Sequence, residues 1–241
     1  MNDRIDPERS LALLWGEQVR PSRGPKPALT VAAIVRAAIG VADAEGAGAL
    51  SMRRVAEALG VGTMSLYTYI PAKTELFELM VDAAIGETAL PPPGDWRPWL
   101  ERFARDSLAG YRRHPWLLRV SLTRGLMGPN QTAALETILR VLSQTGLTGA
   151  ELMAVVQVIT GYVRGVAQGA AQDAKVASST GVSDEQWWTE VGPLLDRYLV
   201  ADRFPALTAV FRGEQDWVDP FEFGLQRLLD GIEAVVRARS S

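Results

Sequence analysis

The sequence predicts an all-α protein, and three observations predict it. Apolar residues recur at i, i+3, i+4 and i+7 through segment after segment beyond Val31. No stretch of useful length alternates apolar and polar residues as a half-buried strand would, and Gly or Pro clusters punctuate the chain at helix-length intervals. With 241 residues, 47% of them hydrophobic, the chain can bury a large core, either as one domain or as a small domain leaning on a larger one.

Residues 1–29 hold no sustained period and contain Pro7, Pro21, Gly24, Pro25 and Pro27, which predicts a flexible arm with little stable structure. Thr30 is an N-cap candidate for a helix whose Val31, Ile34, Val35, Ala38, Val41 and Ala42 share one face, stopped by Gly46 and Gly48. Ser51 caps the next, where Met52, Val55, Ala56 and Leu59 fall on one stripe. Leu59-Gly60-Val61-Gly62 then turns the chain, with Gly60 suited to a left-handed C-terminal position. A short helix over about Thr63 to Ile70 ends at Pro71. From Lys73 to about Glu87 a further helix presents Leu76, Phe77, Met80, Val81 and Ala84, leading to Pro91-Pro92-Pro93-Gly94.

Beyond Asp95 the pattern stays helical: Trp96 to Tyr111, Pro115 to Leu122, Gln131 to Ser143, and a long helix carrying Leu152, Val155, Val156, Ile159, Val163, Val166, Ala167 and Ala170. Asp173 to Ser183 is polar and predicts a mobile loop. Trp187 to Leu199, a short segment near Phe204 to Phe211, and a final helix with Phe221, Leu225, Leu228, Leu229, Ile232, Val235 and Val236 complete the chain. The expected division is an arm over 1–29, a three-helix unit over 30–74, a connecting helix over 75–90, and a larger helical body over 91–238.

Composition narrows the function. With no cysteine and one histidine, His114, thiolate or histidine metal centres and a catalytic triad have no ligands or base, so neither metal nor cofactor is expected. No paired-carboxylate motif, phosphate-cradling glycine loop or nucleophile elbow points to an enzyme. No apolar run approaches bilayer length, and Leu11 to Trp15 is too short for a signal core, so the expectation is a cytoplasmic protein without a membrane partner. The whole chain has net charge −3, yet Arg20 to Thr74 holds seven basic and three acidic residues, a local +4 that leaves the remainder at −7. One cationic segment on an anionic body favours local phosphate contact.

Two short helices joined by a tight turn and backed by a third are the minimal helix-turn-helix able to place one helix in a major groove. On that helix, a 3.6-residue period puts Leu66 and Ile70 on the buried side. Met64, Ser65, Thr68 and Tyr69 take the opposite arc, where they can meet base edges and thymine methyls. Tyr67 sits at the border, its ring packed and its hydroxyl towards a phosphate. Arg23 and Lys26 are candidates for flexible contacts to phosphate or minor groove.

These residues carry a family resemblance. Leu50-Ser51-Met52-Arg53-Arg54-Val55-Ala56, Leu59-Gly60-Val61-Gly62, Met64-Ser65-Leu66-Tyr67-Thr68-Tyr69 and Lys73-Thr74-Glu75-Leu76 resemble the N-terminal domain of TetR-family repressors. Arg23-Gly24-Pro25-Lys26-Pro27, His114-Pro115-Trp116-Leu117-Leu118 and Gly128-Pro129-Asn130 resemble the tetracycline-repressor-like C-terminal subgroup common in actinomycetes. By matching position, the resemblance implies that Arg53, Thr63, Met64, Ser65, Tyr67, Thr68, Tyr69 and Lys73 meet double-stranded operator DNA.

The body is expected to dimerise and to sense a ligand. Gly161, Gly165 and Gly169 recur every fourth residue of the long helix although each costs about 1 kcal/mol relative to alanine. Close approach of a helix or a ligand offsets that cost; a kinked helix is the other reading. Arg164, Gln168 and Gln172, with Gln157 further back, form a polar row that either faces solvent or supplies the directional groups of an apolar pocket. Trp99, Phe103, Tyr111, Trp116, Met153 and Trp188 are candidate pocket walls or core, and His114 joins this ligand set without an assigned role. The long and final helices are candidates for a four-helix homodimer interface. The resemblance implies a repressor that a small-molecule effector releases from palindromic DNA; the alternative is a ligand-independent DNA-binding regulator controlled by a protein partner.

Overall fold

A threonine, a serine and a left-handed glycine organise the N-terminal end of the molecule. In the computed structural model, which describes residues 7–16, 29–119, 126–195, 197–200, 202–212 and 218–239, the Thr30 hydroxyl accepts from the Ala33 N–H to start α2 (Val31–Glu45). Ser51 accepts from the Arg54 N–H to start α3 (Met52–Leu59), and Gly60 closes that helix at φ 67°. After the turn come α4 (Thr63–Tyr67) and α5 (Lys73–Gly86). Ile34, Ala38, Leu50, Val55, Leu66, Ile70, Leu76 and Met80 are fully or nearly fully buried together as the core of this head.

The body comprises α6 (Trp96–Arg113), a 3-10 turn at Pro115–Arg119, α7 (Pro129–Leu142), α8 (Gly149–Thr180), α9 (Asp184–Leu195), α10 (Pro205–Arg212) and α11 (Pro220–Arg239). Its core centres on Trp99, Leu100, Ala104, Leu142, Ile159, Val163, Leu225 and Leu229. Arg97 on α6 reaches Asp230 at 2.6 Å and Glu233 at 2.7 Å on α11, and Arg105 reaches Glu222 at 2.7 Å. Tyr162 on α8 donates its hydroxyl to the Pro220 carbonyl at 2.9 Å. Among the described residues there is no strand, so the all-α expectation stands.

Three elements differ from the sequence expectation. Within 1–29, where little structure is predicted, Pro7–Leu14 forms helix α1. Eight residues are too few to hold a helix alone; this one buries Ser10 and Leu14 against α5, and the Trp15 indole donates to the Met127 carbonyl at 3.2 Å. The loop predicted over Asp173 to Ser183 is helix as far as Thr180, because no Gly or Pro interrupts it before Gly181; the Ser178, Ser179 and Thr180 hydroxyls are satisfied by carbonyls one turn earlier. At 32 residues α8 is also long and apolar enough by composition to cross a bilayer, contrary to the expectation from hydrophobic runs. Its stripe of Val155, Ile159, Val163 and Ala167 is instead buried in the body core. Finally, α4 is α-helical only to Tyr67; Thr68 and Tyr69 continue as a turn.

Carboxylates on α5 join head to body. Asp82, 4% exposed, accepts from the Gln131 N–H at 3.0 Å, the Asn130 N–H at 3.3 Å and the Asn130 side-chain amide at 2.9 Å. These are N–H groups of the first turn of α7, so Asp82 caps a helix it does not belong to, where the positive end of the helix dipole also favours a carboxylate. A Cβ on Gly128 would collide with that carboxylate, which requires glycine there. One turn earlier Glu78 accepts from the Leu126 N–H at 3.2 Å; burial pushes its carboxyl pKa up, and that hydrogen bond draws it partly back. Asp82→Ala is expected to destabilise the protein by about 1–2 kcal/mol, the range for losing a helix cap; urea denaturation of the variant measures it, and an unchanged midpoint contradicts the role.

Candidate nucleic-acid interface and body cavity

The reading surface follows from two anchors. Leu66 and Ile70 are wholly buried, so the residues on either side of Leu66, Ser65 and Tyr67, turn outward. Met64 is 77% exposed and Tyr67 40%, and Ser65 and Thr68 are exposed beside them. Thr63 is half-buried at the start of the helix. The two tyrosines exchange their expected places: Tyr67 projects to solvent, whereas Tyr69, in the turn after α4, is half-buried against the head core.

Two cations flank this face. Lys73 is the first residue of α5 and is exposed. Arg53 on α3 is 84% exposed in its side chain and pairs only loosely in energetic terms with Glu57 at 2.9 Å, one turn on, because both partners stand in water. Arg54 differs: its guanidinium holds Glu45 at 2.6 Å across the head, and that contact keeps the Glu45 carboxyl pKa below its usual value. Arg23 and Lys26 lie outside the described residues.

Where α5 leaves the head, its last turns form one wall of a cavity of about 350 Å³. Ala84 and Ile85 come from α5; Phe103, Ser107, Gly110 and Tyr111 from α6; Gln131, Ala134, Leu135 and Ile138 from α7; Met153, Val156, Thr160 and Val163 from α8. Among the described residues the lining is apolar apart from Thr88, Ser107, Tyr111, Gln131 and Thr160, and contains no carboxylate and no basic side chain.

Of the ten residues predicted for a ligand site, Phe103, Tyr111 and Met153 line this cavity, and seven do not. Trp99 stacks on Phe103 at 5.5 Å but lies in the body core, its indole N–H donating to the Pro91 carbonyl at 3.0 Å. Trp116 belongs to the head core, edge-on to Phe77 at 5.8 Å. His114 is buried with its ring nitrogens against Asp43 and Glu87. Arg164 turns to the carbonyls of Leu117 and Leu118. Gln157 and Gln168 occupy the outer face of α8, so the polar row does not enter the cavity, and Trp188 stands 56% exposed on α9. Sequence reasoning missed Thr88, Ser107, Gln131 and Thr160, whose hydroxyls and amide carry most of the lining's polarity. Each shares a helical face with, or lies beside, apolar wall residues, which is the available signal.

Residues 28–80 match the family model for bacterial regulatory proteins of the tetR family, and residues 88–236 match that for the tetracyclin repressor-like C-terminal domain. The HTH-type transcriptional repressor DrrR1 of Streptomyces coeruleorubidus is 44% identical over 241 residues, covering 97% of this chain and 88% of the relative. An HTH-type transcriptional regulator of Saccharopolyspora erythraea is 30% identical over 231 residues, with 92% and 91% covered. Apo ActR from Streptomyces coelicolor superposes with a TM-score of 0.70 at 28% identity, over 89% of this chain and 99% of ActR. ActR in complex with actinorhodin gives 0.72 at 28% identity, over 86% and 97%. The head and the body each carry their own family match, and relatives align across both, so the chain belongs to the TetR family, whose members are DNA-binding transcriptional regulators and not enzymes.

Proposed function

We propose that the protein is a cytoplasmic repressor that binds palindromic operator DNA as a homodimer and is released when a small molecule fills the body cavity. One observation carries the reading: α5 presents Lys73 beside the reading surface at its first residue and walls the cavity with Ala84 and Ile85 near its last. A ligand there acts on the same rod that orients the head, provided it binds the two head positions with different affinity. The ActR relative, solved with actinorhodin, supports a ligand of small-molecule class. With no ionic side chain in the lining among the described residues, the cavity suits an uncharged, largely apolar molecule with a few hydroxyl or carbonyl groups for Ser107, Gln131 and Thr160.

In this reading residues 30–74 form the DNA-reading unit, 75–90 the connector and 91–238 the sensing and dimerising body. Arg53, Tyr67 and Lys73 position the head on phosphates, while Met64, Ser65 and Thr68 meet base edges; Thr63 and Tyr69 contribute from the flanks. The dimer seam is the open face of α8 and α11: a Cβ on Gly161, Gly165 or Gly169 would meet nothing within 4 Å, and Val158 and Val235 stand 46% and 47% exposed.

Three measurements test these assignments. Lys73→Ala weakens binding evenly across operator variants and reduces the slope of log K against log salt by about one; a loss confined to one base pair contradicts it. Gly165→Leu has room in the single chain, so a shift from dimer to monomer by light scattering supports the seam, and an unchanged dimer removes it. A compound at 100 times its Kd stabilises the protein by about 2.7 kcal/mol, raising the melting temperature in a library screen. Ala134→Trp, which fills the cavity, abolishes that rise. Stabilisation that survives this variant places the ligand elsewhere, and a library without hits favours control by a protein partner.

A further inference from the structure

Asp43, in the last turn of α2, is the meeting point of two body residues. His114 Nδ1 lies 2.9 Å from its Oδ1 and 3.1 Å from its Oδ2, and the Trp116 indole donates to Oδ1 at 2.7 Å. The other His114 nitrogen, Nε2, stands 3.0 Å from Glu87 Oε2, at the end of α5. His114 and Trp116 are 3% and 2% exposed, whereas the Asp43 side chain keeps 31% of its surface. Buried ring N–H groups need an acceptor, and within this cluster Asp43 is the only one contributed by α2.

The residue after Trp116 gives this cluster a further meaning. Leu117 belongs to the same 3-10 turn and forms part of the cavity wall, while Arg164 on α8 holds the Leu117 and Leu118 carbonyls at 3.4 and 2.6 Å. Two consecutive residues of a short, hydrogen-bonded turn therefore both pack into the head core, and one of them also lines the cavity while the other bonds α2. An occupant that displaces Leu117 carries the Trp116 donor with it, and α2 must follow or lose the bond.

We propose that Asp43 is a positioning residue that transmits occupancy of the cavity to the reading head through α2, in addition to the α5 connector. The inference rests on the cavity being the effector site.

The test measures coupling rather than binding alone. N-phenyl-1-naphthylamine, an uncharged dye that fluoresces in apolar cavities, is titrated into the full-length protein with and without a saturating operator duplex selected from a random pool; the ratio of the two Kd values is the coupling factor. Allosteric coupling of this kind spans about 5- to 150-fold. In Asp43→Asn the factor falls at least about fivefold or to one, with the dye's affinity for the DNA-free protein retained. Trp116→Phe, which keeps the aromatic packing but removes the donor, shifts the factor in the same direction. Full coupling in both variants overturns the role of Asp43 and leaves the effector reading standing. A dye that binds the unmodified protein equally with and without DNA, or not at all, overturns the effector reading and this inference together.

Discussion

The carboxylate of Asp82 is the constraint on which the arrangement of head and body turns. Its helix contributes Leu76 and Met80 to the head core, yet the carboxylate itself caps the N-terminal end of α7 of the body. A buried anion of this kind is tolerated because helix N–H groups and an amide satisfy it, and those same groups would be orphaned if it left. Separating α5 from α7 would cost these hydrogen bonds. Gly128 shows how closely the two elements approach, since even a methyl group has no space there.

The head by itself is small, and its core is completed by residues that the chain supplies from elsewhere. Leu14 of α1 packs in from the N-terminal side, and Trp116 and Leu117 from the body side. Small domains bury too little surface to be secure alone, so borrowing a tryptophan from the body both stabilises the head and ties its position to the body. The body is held differently, by a second apolar core and by arginine–carboxylate pairs between α6 and α11 that lie partly in solvent and contribute modestly.

Much of this was legible in the residues. The caps Thr30 and Ser51, the left-handed Gly60, and the buried pair Leu66 and Ile70 are local features, dictated by chemistry within a few residues, and the structure has each where periodicity puts it. What periodicity cannot convey is which stripes converge. Phe103, Ser107 and Tyr111 on α6 share a face with one another, but that Gln131 and Thr160 face them across a cavity is a property of three helices at once. Aromatic residues were likewise ambiguous: Trp99 and Trp116 are core, Tyr111 is wall, and nothing in their spacing distinguishes them. Helix α1 escaped notice because its stability comes from α5, and the end of α8 because a polar sequence without Gly or Pro reads as loop until the helix preceding it is known to be long.

The brevity of α4 has a consequence for how such a protein diversifies. Met64, Ser65, Tyr67 and Thr68 project from barely more than one turn, and no buried contact of the head core is assigned to them. In the proposed reading, substitution at these four positions alters the chemical groups offered to DNA at small cost to folding, since surface changes away from core, caps and buried polar groups rarely move stability far. Specificity and stability are thereby carried by different residues.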